Sequence, residues 1–232
     1  MLAGIVLAAG AGHRYGRPKA LVRLNGTLLV SRAVETLRSA GCRPVIVVLG
    51  AAADAVCTSA DLAGAVPAVN PDWATGMGSS LRVGLAAVGT SPADAAAVLL
   101  VDMPGIGPAA VRRVAAGADR RTLAAASYVD GRPGHPVVLG RAHWTAVAAS
   151  ATGDTGARDY LRAHPDQLRL VPCGDVADPT DLDRPGDLAR FPDPDRFAGP
   201  ARFPEPDRFA DLDRLIEGGG SGGASARTVA TG

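Results

Sequence analysis

The amino-acid sequence predicts a three-layer α/β fold with a mostly parallel central sheet. Short apolar runs rich in Val, Ile and Leu recur along the chain, and the intervals between them are long enough to hold a helix. Such runs are typical of strands that are buried on both faces of a sheet. Strands that alternate with helices form crossover connections, which place the helices on the two sides of the sheet.

The predicted elements follow one another from the start of the chain. The strands cover residues 4–8, 44–49, 65–69, 97–101, 123–128, 136–139 and 168–171. Helices are predicted over residues 27–40, 108–116 and 141–149, and in the first of them apolar residues recur at helical spacing. Gly41 suits the end of the first helix, and a short helix is expected after Pro185.

The composition excludes several classes of function. The chain has 24 Lys and Arg residues against 23 Asp and Glu, so its net charge of +1 provides no general attraction for nucleic acid or an acidic membrane. Its three cysteines are far apart, which argues against a disulfide framework and a thiolate metal site. The apolar run at residues 5–9 is too short for a membrane span or a signal peptide. We therefore expect a cytoplasmic protein.

A change of composition near Arg190 marks a predicted domain boundary. The chain reads RFPDPDRFA from residue 190 and RFPEPDRFA from residue 202, and it ends in GGGSGGASARTVATG. The Pro density disfavours helix and sheet, and the Gly/Ser segment is typical of flexible linkers. We predict one domain over residues 1–190 and a disordered tail over 191–232, with docking through the Phe side chains as the alternative. All four Phe residues lie in the repeat, so the core is predicted to lack Phe.

The most informative segment is LAAGAGHRYGRPK, residues 7–19, directly after the first predicted strand. Gly10 and Gly12 allow a tight turn that brings backbone N–H groups against an anion, and Arg14 and Lys19 add positive charge. The GxGxxxG spacing differs from the dinucleotide fingerprint, and no Walker motif follows. No acidic residue lies near these cations in sequence, and unpaired cations are costly to bury. A phosphate site is therefore predicted rather than a plain turn.

Carboxylates follow later strands and are expected at the same edge of the sheet. Asp102, in VDMP, is the best candidate for a Mg²⁺ ligand shared with substrate phosphates, and a helix N-cap is the alternative. Asp181, in DLDRPGDL, is a candidate second metal ligand. Asp183 is equally suitable, and the spacing does not distinguish the two.

Two further loops are expected to reach this edge. In NPDWATGMGSSL, Gly76 permits close approach of a planar ligand. Ser79 or Ser80 can hydrogen-bond a base or ribose, although Ser79 suits a helix cap equally well. In GRPGHPV, His135 lies in a turn bracketed by Pro and Gly, where it contacts substrate or has a structural role.

These segments resemble the MobA/MocA-like nucleotidyltransferase family, which includes the molybdenum cofactor cytidylyltransferases and guanylyltransferases. The resemblance covers residues 2–190 and implies a Rossmann-like nucleotidyltransferase fold. It also implies Mg²⁺-dependent transfer of a nucleotide from a nucleoside triphosphate to a phosphorylated small-molecule acceptor, with release of pyrophosphate. The implied catalytic residues are Arg14, Lys19 and Asp102, and those for acceptor binding are His135 and Asp154. The implied nucleotide-binding residues are Leu7, Ala8, Ala9, Gly10, Gly12, Gly76, Ser79 and Ser80.

Finer features of the resemblance concern the substrates. LAAG and RPK resemble the cytidine branch, in which the methyl group of Ala9 would crowd a purine, so CTP is favoured over GTP. GHPV and GDTGAR resemble the molybdopterin cytidylyltransferases, which implies molybdopterin or the molybdenum cofactor as acceptor and a molybdoenzyme or cofactor chaperone as a further partner. Two alternatives stay open: an NAD(P)H-dependent oxidoreductase of the nicotine blue oxidoreductase type, and a non-catalytic protein that binds and delivers the cofactor.

Overall fold

A seven-stranded sheet forms the centre of the protein in a computed structural model, which describes residues 1–62, 64–129 and 131–191. The strand order is β5-β4-β1-β6-β8-β7-β9, and β8 runs antiparallel to both of its neighbours while the other adjacent pairs are parallel. β2 and β3 form a separate small hairpin. The strands are β1 Leu2–Ala8, β2 Arg23–Leu24, β3 Thr27–Leu28, β4 Val45–Leu49, β5 Val66–Val69, β6 Ala95–Leu100, β7 Leu123–Ser127, β8 Pro133–Gly140 and β9 Leu168–Pro172. The predicted mostly parallel sheet is confirmed.

Helices cover both faces of the sheet, as the three-layer prediction requires. One buried cluster joins one face of the sheet to α1 and α4, and a second joins the opposite face to α3, α5 and α6. Neighbouring strand residues alternate between the two clusters, since successive side chains of a strand point to opposite faces. The helices are α1 Leu29–Ser39, α2 Ala53–Ser59, α3 Met77–Gly89, α4 Pro108–Val114, α5 Trp144–Ser150 and α6 Arg158–Ala163.

The two edge strands differ from the expectation of burial on both faces. Val66 and Val69 on β5 are 51% and 60% exposed, and Leu170 on β9 is 41% exposed. Each of these strands has a neighbour on one side only, and the helical layers cover the central strands. An apolar run in this sequence therefore predicts a strand, but it does not predict whether that strand is buried on both faces of the sheet.

Several helix boundaries also differ from the prediction. Thr27 and Leu28 pair with β2 rather than beginning the first helix, and Arg141–His143 forms a tight 3-10 turn before α5. The predicted helix after Pro185 is a 3-10 helix, Pro185–Arg190. No helix in the part of the chain that the structure describes is long and apolar enough to cross a membrane.

The predicted tail over residues 191–232 lies outside the described residues except for Phe191. Phe191 packs against the cluster that includes α1 and α4, close to Gly105. The buried core of the described residues contains no Phe, and Phe191 lies partly buried at the edge of that core.

The first turn of α3 lies unusually close to the loop that follows α5. A Cβ atom at Gly78 would stand 2.7 Å from the backbone of Ala151 and 2.8 Å from the nitrogen of Thr152. The Gly78 N–H also donates to the carbonyl of Gly153 at 2.8 Å. Because the clash is with backbone, only glycine lets the helix and this loop approach so closely.

We expect Gly78→Ala to lower the free energy of unfolding by about 1–3 kcal/mol, because the loop must move to admit the methyl group. Gly89→Ala, at the other end of α3, is the matched control, since nothing lies within 4 Å of its Cβ position. That variant should be neutral or stabilised by up to about 1 kcal/mol. Urea unfolding measures the free energy of unfolding of both variants. Equal values would show that the close approach of α3 to the loop does not restrict this position to glycine.

Candidate functional site

The loop after β1 forms one wall of a cavity of about 450 Å³ at the carboxyl edge of the sheet. At Gly12 the backbone has φ +66°, and a Cβ atom there would stand 1.9 Å from the carbonyl oxygen of Arg17. The Gly12 carbonyl accepts hydrogen bonds from the N–H groups of Tyr15 and Gly16 at 3.0 and 2.9 Å. These contacts close the loop tightly and bring Arg14 and Lys19 to the same cavity, which we call the first cavity.

Lys19 lies at the centre of the charged groups in this cavity. Its Nζ donates to Asp102 Oδ2 at 2.9 Å and to Asp183 Oδ1 at 2.8 Å, and the side chain is only 15% exposed. Arg14 donates to the second oxygen of Asp183 at 3.1 Å. The premise that no acid pairs these cations is therefore corrected, because folding brings two acids from distant parts of the sequence to them.

Asp102 follows β6 and keeps one oxygen without a hydrogen-bond partner. Within the described residues its Oδ1 is buried and unpaired, while Oδ2 accepts from Lys19. Leaving a buried acceptor unsatisfied costs about 1–3 kcal/mol, so such an atom indicates a place for a ligand. The alternative of a helix cap is excluded, since α4 begins at Pro108 with Gly107 as its N-cap.

The opposite wall of the first cavity contains the start of α3. Gly76 and Ser80 lie on this wall, together with Met77 and the predicted acceptor residue Asp154. Asp154 Oδ1 accepts from the Met77 N–H at 3.3 Å. Gly76 adopts φ +112°, and a Cβ atom there would stand 2.4 Å from the Gly153 carbonyl. Asp154 is thus placed with the predicted nucleotide-binding residues.

Two of the predicted nucleotide-binding residues do not line the first cavity. Ala8 packs in the core cluster of α1 and α4, whereas Leu7, Ala9, Gly10 and Gly12 lie on the wall. Ser79 is buried in the first turn of α3, where its hydroxyl interacts with the carbonyls of Asp72 and Gly76 and accepts from Asn70. It is not the N-cap, because that position belongs to Gly76.

A second cavity of about 820 Å³ adjoins the first, and Leu7, Met77 and Leu100 line both. His135 and Asp181 lie on the wall of this second cavity. Asp181 is therefore separated from Asp102, and Asp183 is the carboxylate that shares Lys19 with it. The structure thus brings Asp183, and not the predicted Asp181, to the same cavity as Asp102.

The charges in the first cavity stabilise one another. Burial lowers the pKa of Lys19, but its hydrogen bonds to Asp183 and Asp102 outweigh burial, so the pKa is raised overall and the amine stays charged. The hydrogen bond from Lys19, with a smaller contribution from Arg14, lowers the pKa of Asp183. Both groups are therefore ionised at neutral pH.

The cluster can also take part in binding a divalent cation. No group of three or more His, Cys, Asp or Glu side chains in the described ranges is arranged to hold a metal. Magnesium is commonly held by one or two carboxylates and completed by substrate phosphates. Asp102, with its unpaired Oδ1, and Asp183 fit such a shared site, although they do not form a site of protein ligands alone.

Sequence reasoning missed one strong signal at Lys19. It is the only lysine in the chain, and every other one of the 24 Lys and Arg residues is arginine. Lysine provides a compact point charge on a flexible stem, whereas arginine provides a rigid planar fork. A chain that otherwise uses arginine throughout thus has its one lysine between two carboxylates. The arginines of the second cavity, such as Arg158, were also missed, although Arg158 lies in the GDTGAR segment.

The fold and the site together define an α/β protein with a tight glycine loop whose Arg14 and Lys19 pair with Asp102 and Asp183 at the carboxyl edge of the sheet. A model of the MobA-like NTP transferase domain matches residues 4–168. The chain belongs to this family.

Individual relatives differ in what their names say. The chain is 43% identical over 187 residues to the nicotine blue oxidoreductase of Paenarthrobacter nicotinovorans, an alignment that covers 78% of this chain and 91% of that protein. It is 38% identical over 112 residues to a probable molybdenum cofactor guanylyltransferase of Opitutus terrae, covering 45% of this chain and 50% of the relative. The solved structure of Rv0371c from Mycobacterium tuberculosis H37Rv, in complex with manganese, has 30% identity and a TM-score of 0.68, covering 82% of this chain and 96% of that one.

The ion pairs of Asp183 predict a pH dependence of stability. A carboxylate whose pKa is lowered by folding stabilises the native state above its unfolded pKa, and it loses that effect as the pH falls through its folded pKa. Wild type should therefore exceed Asp183→Asn by roughly 1 kcal/mol near neutral pH, since the side chain is partly exposed. The difference should shrink as the pH falls below about 4 and should disappear only below the lowered folded pKa of Asp183.

Urea unfolding at a series of pH values measures this difference. Asp181→Asn is the matched control, because Asp181 makes no ion pair with another described residue. Its stability should stay within about 0.5 kcal/mol of wild type. A difference between wild type and Asp183→Asn that persists unchanged at low pH would contradict the assignment.

Proposed function

We propose that the protein transfers a nucleotidyl group to a phosphorylated acceptor and releases pyrophosphate, with CTP as the donor and molybdopterin or the molybdenum cofactor as the acceptor. The observation that carries this proposal is the cluster of Lys19, Asp102 and Asp183 on the wall of the first cavity, facing the glycine loop. Membership of the MobA-like family supports the reaction class. The unpaired cysteines Cys42, Cys57 and Cys173 suit a reducing cytoplasm.

Lys19 and Arg14 would act on the charge of the triphosphate. Attack of an acceptor phosphate oxygen on the α-phosphorus breaks the bond to the bridging oxygen, so negative charge accumulates on the departing pyrophosphate. Fixed positive charges at that position stabilise the transition state. Because Lys19 is held at its carboxylates by two hydrogen bonds, it is oriented before the nucleotide arrives.

Magnesium would be held by Asp102 and Asp183 together with the nucleotide phosphates. The unpaired Oδ1 of Asp102 is the atom that fits this role, and the two carboxylates would hold the ion on the wall of the first cavity. When bound, a divalent cation neutralises phosphate charge and orients the reacting groups. Leu7, Met77 and Leu100, which line both cavities, would exclude water there and position the nucleotide against the second cavity.

A second candidate function is favoured by the 43% identity to nicotine blue oxidoreductase over 91% of that protein. In that case the first cavity would hold NAD(P)H through its phosphates, and the second cavity would hold a planar dye. Hydride transfer needs the two substrates in contact but no divalent cation. The paired carboxylates therefore favour the transferase, while overall identity favours the oxidoreductase.

Pyrophosphate release tests the proposed reaction directly. Wild type with CTP, Mg²⁺ and molybdopterin should release pyrophosphate, and Lys19→Met should lower kcat by about 10²–10³-fold because a preorganised charge at the leaving group is lost. Arg113→Met, which breaks an ion pair to Asp175 outside both cavities, should keep the wild-type rate. Consumption of NADPH with a quinoid dye, without any pyrophosphate, would support the oxidoreductase instead.

The preference for cytosine is tested at the wall of the first cavity. Ala9 lies on that wall, so Ala9→Gly should make room for a purine and raise kcat/KM for GTP relative to CTP by about tenfold. Ala8→Gly is the control, because the methyl group of Ala8 packs in the core. That variant should lower stability without changing the base preference. An unchanged CTP-to-GTP ratio in Ala9→Gly would remove Ala9 from base selection.

A further inference from the structure

His135 has a defined hydrogen-bonding pattern on the wall of the second cavity. It lies on β8, and its Nδ1 is 3.1 Å from the carbonyl oxygen of Val98 on the neighbouring strand β6. A carbonyl can only accept a hydrogen bond, so Nδ1 must carry the proton. A neutral ring with the proton on Nδ1 has an unprotonated Nε2, which acts as a hydrogen-bond acceptor.

The Nε2 atom is available to a ligand. Among the residues that the structure describes, Nε2 has no hydrogen-bond partner. Nε2 is also not fully buried, so a ligand can reach it. The ring itself contributes to the wall of the second cavity. An acceptor atom therefore lies on a cavity whose walls combine aliphatic side chains, such as Leu81 and Leu161, with charged ones such as Arg158.

The ring stays neutral in this position. Burial lowers the pKa of His135 most, and the nearby charge of Arg158 acts in the same direction. The hydrogen bond to Val98 and the charge of Asp102 act in the opposite direction without reversing the shift.

We propose that His135 selects the acceptor substrate by accepting, at Nε2, a hydrogen bond from an O–H or N–H group of that molecule, while Arg158 on the same wall binds an anionic part of it. This inference rests on the proposed function and specifies its acceptor. A ligand that presents only acceptor atoms at this point would face Nε2 with repelling lone pairs, and an aliphatic ligand would leave Nε2 desolvated and unpaired. The pocket therefore favours molecules with a polar donor edge, such as a pterin ring.

A pair of substitutions separates this role from a structural one. The amide nitrogen of His135→Asn can replace Nδ1 and keep the bond to Val98, but no atom takes the place of Nε2. The longer side chain of His135→Gln brings its amide to the place of Nε2 and loses the bond to Val98. With CTP and molybdopterin, His135→Asn should raise the acceptor KM by about tenfold and leave the KM for CTP unchanged. His135→Gln should raise the acceptor KM less, despite its lower stability.

The opposite ranking would overturn the inference. If His135→Asn retains the wild-type acceptor KM while His135→Gln loses it, the residue serves only the bond to Val98. Nitrogen-15 NMR of the wild-type side chain gives a readout that needs no turnover: Nε2 should resonate as an unprotonated nitrogen and shift when molybdopterin is added. A protonated Nε2, or no shift with bound molybdopterin, would also overturn the inference.

The two proposals fail in different ways. If wild type releases no pyrophosphate but binds molybdopterin with a shift at Nε2, the transferase reaction fails and the role of His135 stands. If pyrophosphate is released at equal acceptor KM by wild type and His135→Asn, the reaction stands and the role of His135 fails.

Discussion

The hydrogen bonds of Lys19 to Asp102 and Asp183 hold the candidate site together. They connect the glycine loop after β1, the end of β6 and the segment that precedes the last 3-10 helix, which are far apart in sequence. A backbone hydrogen bond from the Leu182 N–H to the Asp102 carbonyl, at 2.8 Å, also joins the segment before the 3-10 helix to the chain that follows β6. Without the amine, two carboxylates would face each other beside a buried strand, and their repulsion would push the segment away. The site therefore depends on Lys19, the cation that bonds to both carboxylates, whereas Arg14 bonds to Asp183 alone.

This arrangement leaves Asp102 half satisfied, which explains how a site can be stable before its ligand binds. One oxygen of the carboxylate is paired with Lys19, and the other is buried without a partner in the described residues. The charge is thus compensated while one acceptor remains for a ligand to satisfy. A ligand that supplies a cation to that oxygen recovers the cost of about 1–3 kcal/mol that folding leaves there. The hydrogen bonds from Lys19 compensate part of the carboxylate charge. They therefore determine how much negative charge remains to attract such a ligand.

The fold was largely predictable from the sequence because buried parallel strands produce apolar runs that need no partner to be recognised. The helices α2 and α3 were not predicted, since small residues such as Ala and Gly give weak helical periodicity, and α6 was missed because its six residues are too few to show a period. Glycine in α3 is there for close packing rather than for helix formation, as the contacts of Gly78 show. In such segments tertiary contact overrides local preference.

Within the site, the success of sequence reasoning follows the geometry of extended chain. Successive side chains at the end of β1 alternate, so Leu7 and Ala9 belong to one face and Ala8 to the other. Strand alternation could therefore have separated Ala8 from the nucleotide-binding residues. The same rule cannot separate Asp181 from Asp183, because residues two apart share a side in extended chain. Their assignment to different cavities depends on Lys19, whose position comes from another part of the fold, so no local pattern carries it.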